Sequence, residues 1–190
     1  MTDSAWTWPT VLAAAMSETS VPPDGVAWAM DRILDDQATS AQIAAFVTAL
    51  RVRGESPEHV RALVDSMMER AVLIDPEQRP SVVVDVVGTG GDGSNSVNIS
   101  TMTALVVAAA GAPVIKHGNR AASSATGSAD ALEALGVRIE LSGAAVAACT
   151  REVGIGFCFA PAFHPALRFA GPTRRELGVP YQTLTRRHLI

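Results

Sequence analysis

Apolar positions recur at helical spacing through the first third of the chain, then give way to short β-branched runs. Trp8 to Met16 is an apolar-faced segment, and Val26 to Leu34 follows the start signal Pro22-Pro23. Ser40 is placed to cap a helix carrying Ile43, Ala44, Val47 and Leu50, with Gly54 just past its end. Ser56-Pro57 opens another helix in the favoured cap-then-proline order, with Val60, Leu63, Val64 and Met67 on one face. This pattern predicts an all-helical domain over residues 1–75, and the composition of Asp75 to Pro80 reads as a linker.

From Ser81 the period changes. Val82-Val83-Val84-Asp85-Val86-Val87 predicts a buried parallel strand, and a helix is expected from Ser100 to Ala110. Further strands are expected at Pro113 to Ile115, Val137 to Ile139 and Gly156 to Ala160. Helices are expected at Ala129 to Leu135, Ala144 to Arg151 and Pro165 to Leu177. Strands alternating with helices give a parallel α/β domain over 81–180. Ligands of such sheets sit beyond the carboxyl ends of the strands.

Bulk properties narrow the function. The chain has 190 residues, 48% of them hydrophobic, enough for a packed core. A formal net charge of −4 argues against a general nucleic-acid partner. The apolar stretch from Ala104 to Ile115 is broken by Gly111 and Pro113, too short for a membrane span of roughly 20 residues. Two cysteines, Cys149 and Cys158, and an opening without a basic export region make the cytoplasm the expected compartment.

Chemistry concentrates between Asp85 and Ser128. The first polar loop, Gly88-Thr89-Gly90-Gly91-Asp92-Gly93-Ser94, runs on through Ser96 to Asn98-Ile99-Ser100-Thr101. Bare glycine N–H groups make a concave anion site. The spacing of Gly88, Gly90 and Gly93 matches a dinucleotide fingerprint, but the required acid about 20 residues on is missing from Ala108 to Pro113. No Gly-Lys-Ser/Thr ends the loop, which excludes a Walker A site. Asn98 and Ser100 suit either a helix cap or a phosphate at the helix start. The second loop, Lys116-His117-Gly118-Asn119-Arg120-Ala121-Ala122-Ser123-Ser124, has no carboxylate and is rich in donors for phosphate oxygens. His117 in isolation reads as a hydrogen-bonded core histidine, and Ser123, Ser124 and Ser128 as helix caps. Two such loops together suggest a ligand with more than one phosphate.

The segments GTGGDG, NIST and KHGNRAASS resemble those of the anthranilate phosphoribosyltransferase family of tryptophan biosynthesis. The similarity extends through Ala129 to Gly136, Gly154 to Phe157, Ala160-Pro161 with His164, and Arg174 to Gly178. It implies a helical domain plus an α/β domain of the nucleoside phosphorylase/phosphoribosyltransferase type. It also implies a homodimer and a reaction in which the amine of anthranilate displaces pyrophosphate from phosphoribosyl pyrophosphate (PRPP). By that resemblance PRPP would be held by Gly88, Gly91, Asp92, Ser96, Asn98, Ile99, Ser100 and Thr101. Lys116, His117, Gly118, Asn119, Arg120, Ala121, Ala122, Ser123, Ser124 and Ser128 would complete the cradle. Ser100 would ligate Mg²⁺, and Gly88, Asn119 and Arg174 would contact anthranilate. No nucleophile–base pair is expected, so no residue is assigned as catalytic.

After Val179-Pro180 the wording departs from the family, and residues 181–190 are expected to be a non-family tail of a truncated α/β domain. The family's Asp-Glu pair for Mg²⁺ belongs to a later half that this sequence does not show. Two expectations follow: an apolar edge left exposed, and, as an alternative to the transferase, an inactive fragment that binds phosphorylated ligands or a partner.

Overall fold

The computed structural model describes residues 6–17, 20–87, 97–121 and 126–178. They fall into two compact units: one runs to Ala71 and takes up the chain again from Ala166, and the other is Val72–Pro165.

The first unit is helical. It contains α1 (Trp8–Met16), α2 (Pro23–Leu34), α3 (Ser40–Arg53), α4 (Pro57–Met68) and the late helix α9 (Gly171–Leu177). Thr39, one residue before the expected Ser40, caps α3: its Oγ1 accepts from Gln42 N at 3.3 Å while Gln42 Oε1 accepts from Thr39 N at 2.9 Å. The reciprocal pairing satisfies two amides that the helix start would leave open. Ser56 caps α4 as expected. Val26, Met30, Ile33, Phe46, Leu50 and Leu63 form the buried centre, and Ala170 and Leu177 from the far end of the chain pack against the same cluster. Trp8 sits edge-on to Trp28 at 5.5 Å, so both indoles serve this core. Arg70 binds both oxygens of Asp35 at 2.8 and 3.0 Å and Asp31 at 2.9 Å, fastening the end of α4 to α2. Its guanidinium holds the Asp35 carboxyl below the ordinary carboxylate range.

The second unit carries α5 (Ile99–Ala109), β1 (Val114–Gly118), α6 (Ser128–Ala134), α7 (Gly143–Val153), β2 (Ile155–Phe159) and the short α8 (Ala160–Phe163). β1 and β2 pair in parallel, with Lys116 opposite Phe157 and His117 opposite Cys158. Alternation along the strands sends side chains to two cores. Ile115 and Cys158 meet Val146 of α7 and Phe163, while Phe157 and Phe159 meet Ala129 and Leu132 of α6. The pair is thus covered on both faces, as a parallel α/β layer requires.

Three expected elements take another form. The run from Val82 to Val87 is no strand: Val84 alone pairs, giving its N–H to Pro113 O at 2.8 Å and accepting from Ile115 N at 3.0 Å. Where the ladder would continue, His117 N donates to the Asp85 carboxylate and Val86 O accepts the Lys116 amine. Side chains have taken the ladder bonds. The strand expected at Val137 to Ile139 is also missing, because the Val137 amide returns to Leu132 O at 2.9 Å to close α6 behind Gly136, whose φ is 82°. Pro165 to Leu177 is not one helix: a 3₁₀ turn, Pro165–Phe169, precedes α9, and Pro172 lies in the first turn of the restarted helix. β1, conversely, runs further than expected and takes in Lys116, His117 and Gly118.

Apolar surface stays uncovered on a helix face. On α5, Met102 is 48%, Leu105 46% and Val106 67% exposed, and these share one helical stripe. Among the described residues no helix is long and apolar enough to cross a membrane.

Gly156 marks the tightest strand–helix approach: a Cβ there would lie 2.6 Å from Thr150 Oγ1 and 2.7 Å from Val146 O. Gly156→Ala is expected to lower stability by about 1–3 kcal/mol in urea unfolding. Gly171→Ala, where no atom lies within 4 Å, is expected to stay within about 0.5 kcal/mol of the parent.

Candidate functional site

The carboxyl end of β1 gathers the donors. Lys116 is 2% exposed, and its amine donates to Val86 O at 2.8 Å, Ser100 Oγ at 3.3 Å and His117 O at 3.3 Å. Burying an ammonium costs several kcal/mol, roughly, unless oxygens replace its water. These three come from the segment before the first loop, the start of α5 and β1 itself. Gly118 is required by close packing, since a Cβ would meet the Phe157 ring at 2.7 Å and Ser128 Cβ at 2.9 Å.

His117 faces the other side of the strand. Asp85 grips it twice, accepting from the backbone N at 3.2 Å and from Nδ1 at 2.8 Å. A carboxylate accepts only, so Nδ1 carries the proton. The ring is edge-on to Phe163 at 6.5 Å. His117 Nε2 and Thr101 Oγ1 are both buried with no hydrogen-bond partner among the described residues. Buried polar atoms of that kind call for an explanation, and a ligand is one.

Next to Lys116, the second loop is held closed at both ends. Asp130 of α6 accepts from Ala121 N at 2.9 Å and Gly127 N at 2.8 Å. Those two amides, with Arg120 adding to them, keep its carboxyl below the ordinary range. Gly127 permits this closure, because a Cβ would fall 2.4 Å from Ala121 N. Asn98 stands at the cap position of α5 but makes no side-chain cap; its Nδ2 donates to Gly127 O at 3.4 Å and joins the two loop systems. Arg120 is engaged by both oxygens of Glu133, by Asp130 at 3.4 Å, and by the Phe159 ring at 5.5 Å.

Among the residues expected to hold PRPP, Asn98, Ile99, Ser100 and Thr101 lie at the start of α5, Lys116, His117 and Gly118 in β1, and Asn119, Arg120 and Ala121 just after it. Ser128, buried, opens α6. Gly88, Gly91, Asp92 and Ser96 fall outside the described residues, as do Ala122, Ser123 and Ser124. Ile99, 59% exposed, contributes backbone at most. Arg174 lies in α9, within the helical unit. Pattern reasoning missed Asp85 and Asp130. Asp85 is the one acid in a β-branched run, and Asp130 follows Gly127 at the three-residue spacing of a helix cap, so both left a signal.

No thiol is poised to react here. Burial first, then the Asp85 charge, pushes Cys158 up to about 12. Burial first, then the neighbouring His117, lowers His164 below its ordinary value. For magnesium the fit is poor. Ser100 offers one hydroxyl, already accepting from the Lys116 ammonium at 3.3 Å, and no cluster of three metal-binding side chains occurs among the described residues. Mg²⁺ prefers carboxylate or phosphate oxygens.

The sequence matches the model of the glycosyl transferase family a/b domain over residues 80–184, and that of the family's helical bundle domain over 9–71. The chain is 61% identical over 178 residues to anthranilate phosphoribosyltransferase of Rhodococcus opacus (strain B4), covering 93% of this chain and 48% of that protein. The enzyme of Nocardia farcinica (strain IFM 10152) is 63% identical over 154 residues, 81% of this chain and 44% of the relative. The chain therefore spans about half the length of the curated relatives it matches. Two solved structures superpose with a TM-score of 0.83. Anthranilate phosphoribosyltransferase from Thermus thermophilus, at 40% identity, covers 94% of this chain and 54% of its own. The one from Saccharomyces cerevisiae, in complex with PRPP and Mg, is 26% identical and covers 96% and 54%.

If Asp130 closes the loop, Asp130→Ala should speed hydrogen exchange at the Ala121 and Gly127 amides while the amides of α2 and α4 stay unchanged. Equal rates in parent and variant would show that the closure is held by other contacts.

Proposed function

Because this chain belongs to the glycosyl transferase family, matching both its helical bundle and its a/b domain, we propose that it binds PRPP and transfers the phosphoribosyl group to the amine of anthranilate, releasing pyrophosphate. The observation that carries this reading is the Lys116 amine, buried and joined to Val86 and Ser100, so that the segments on either side of the first loop meet the second at one cation. The names of the relatives support the choice of substrates.

The chemistry asks little covalent help. Loss of pyrophosphate from a sugar C1 passes through an oxocarbenium-like state, and the protein has to neutralise the departing charge and aim the amine. Lys116, the amides at the start of α5 and those of the closed second loop are the groups for the phosphates. Arg120 reaches them only by leaving Glu133, so it acts by exchanging one anion for another. Asn119 and Arg174 are proposed for anthranilate, with Arg174 offering the planar fork a carboxylate accepts. Ser100 does not make a magnesium site by itself, so Mg²⁺ would arrive held by the phosphate oxygens of PRPP. The two free cysteines agree with a reducing cytoplasm. A homodimer is proposed from the family resemblance, to be checked by light scattering.

Calorimetric titration with PRPP and Mg²⁺ tests the reading. Lys116→Ala is expected to lose about 1.5–3 kcal/mol, roughly tenfold or more in affinity. Unchanged affinity would overturn the site. Pyrophosphate release with anthranilate present measures the transfer itself.

A further inference from the structure

The double contact between Asp85 and His117 goes beyond any role assigned to either residue, and it rests on the proposed transferase reading for its ligand. Asp85 lies where the Val82 to Val87 run stops pairing, and it meets β1 through its side chain alone. One carboxylate oxygen takes the His117 backbone N–H at 3.2 Å and the other takes Nδ1 at 2.8 Å. Two anchors on one residue fix both the position of the strand and the rotation of the ring. The neutral imidazole has one proton, and the carboxylate draws it to Nδ1. Nε2 is then left with a lone pair, and it is buried and without a partner among the described residues. His117 itself is 6% exposed, so water does not supply the missing donor freely.

We propose that Asp85 is a positioning residue that locks His117 in the Nδ1–H tautomer, so that Nε2 serves as a hydrogen-bond acceptor for an N–H or O–H donor of the bound substrate. Metal-ligating histidines use the same device, a carboxylate on one ring nitrogen fixing what the other can do. Here the beneficiary is a ligand donor. Under the transferase reading two sources supply one: the anthranilate amine and the ribose hydroxyls of PRPP. An acceptor for one N–H of the amine would steer its lone pair toward the sugar carbon, whereas an acceptor on a hydroxyl would seat the ribose.

Nitrogen-15 labelling of the histidine rings in this chain reads the tautomer directly, with His117→Gln identifying the resonance by its loss. The expected spectrum has a protonated Nδ1 and a pyridine-like Nε2 on His117. A proton on Nε2, or two exchanging forms, overturns the proposal without any variant at Asp85. Asp85→Asn puts an amide donor against Nδ1 and is expected to move the proton to Nε2; an unchanged tautomer overturns the role of Asp85. Should that variant fail to fold, Asp85→Glu, which keeps the carboxylate, is expected to keep the Nδ1–H form, and loss of that form overturns the assignment.

Anthranilate, and PRPP with Mg²⁺, are then added separately. Movement of the Nε2 resonance away from its pyridine-like position with one of them confirms the acceptor and names its donor. Binding heat without movement for either ligand overturns the acceptor role. No heat with either overturns the transferase reading instead, and the tautomer of the free chain then decides the role of Asp85 alone.

Discussion

The second unit depends on a pair of side chains standing in for backbone. Past Val84 a parallel ladder would have joined the Val82 to Val87 run to β1. Instead Asp85 takes the His117 amide and Lys116 takes the Val86 carbonyl. Both substitutions replace a neutral bond by one to a charged group, which is the stronger kind. They also stop the two segments from zipping into a plain sheet edge. The result is a buried ammonium on one side of β1 and an oriented imidazole on the other, toward the carboxyl end of the strand, where parallel α/β folds keep their ligands. The sheet and the proposed phosphate site compete for the same hydrogen bonds, and at this point side chains have them.

That competition explains what the sequence let one read. Helices α1 to α4 were legible to within a few residues because capping and apolar spacing agree there. The move from Ser40 to Thr39 came from the Gln42 partner three residues on. The expected strand at Val82 failed because β-branched composition reports burial and stiffness, not which group will accept a given amide. Val137 to Ile139 failed for a related reason: its first amide was already committed to Leu132. Within the site, the glycines and cations announced themselves, while Asp85 and Asp130 left a fainter signal. Acids next to a proposed phosphate site look out of place until the structure shows them holding backbone N–H groups. Lys116 was read as a loop residue, yet it lies in β1, where burial gives its charge a longer reach.

The helical unit contributes a different kind of order. Its core recruits residues from both ends of the described chain, Val11 near the start and Leu177 near the end. The second unit is less self-sufficient. Among the described residues two strands form its sheet, and α5 presents Met102, Leu105 and Val106 to solvent.

The central claim is that the start of α5 and the end of β1 form one phosphate site around Lys116. Backbone amide shifts followed during a titration with PRPP and Mg²⁺ test it most directly. The account predicts joint movement, with one saturation curve, at residues 98–101 and 116–121, and quiet amides through α2 and α4. Movement in only one of those two segments, or separate curves for each, would contradict it.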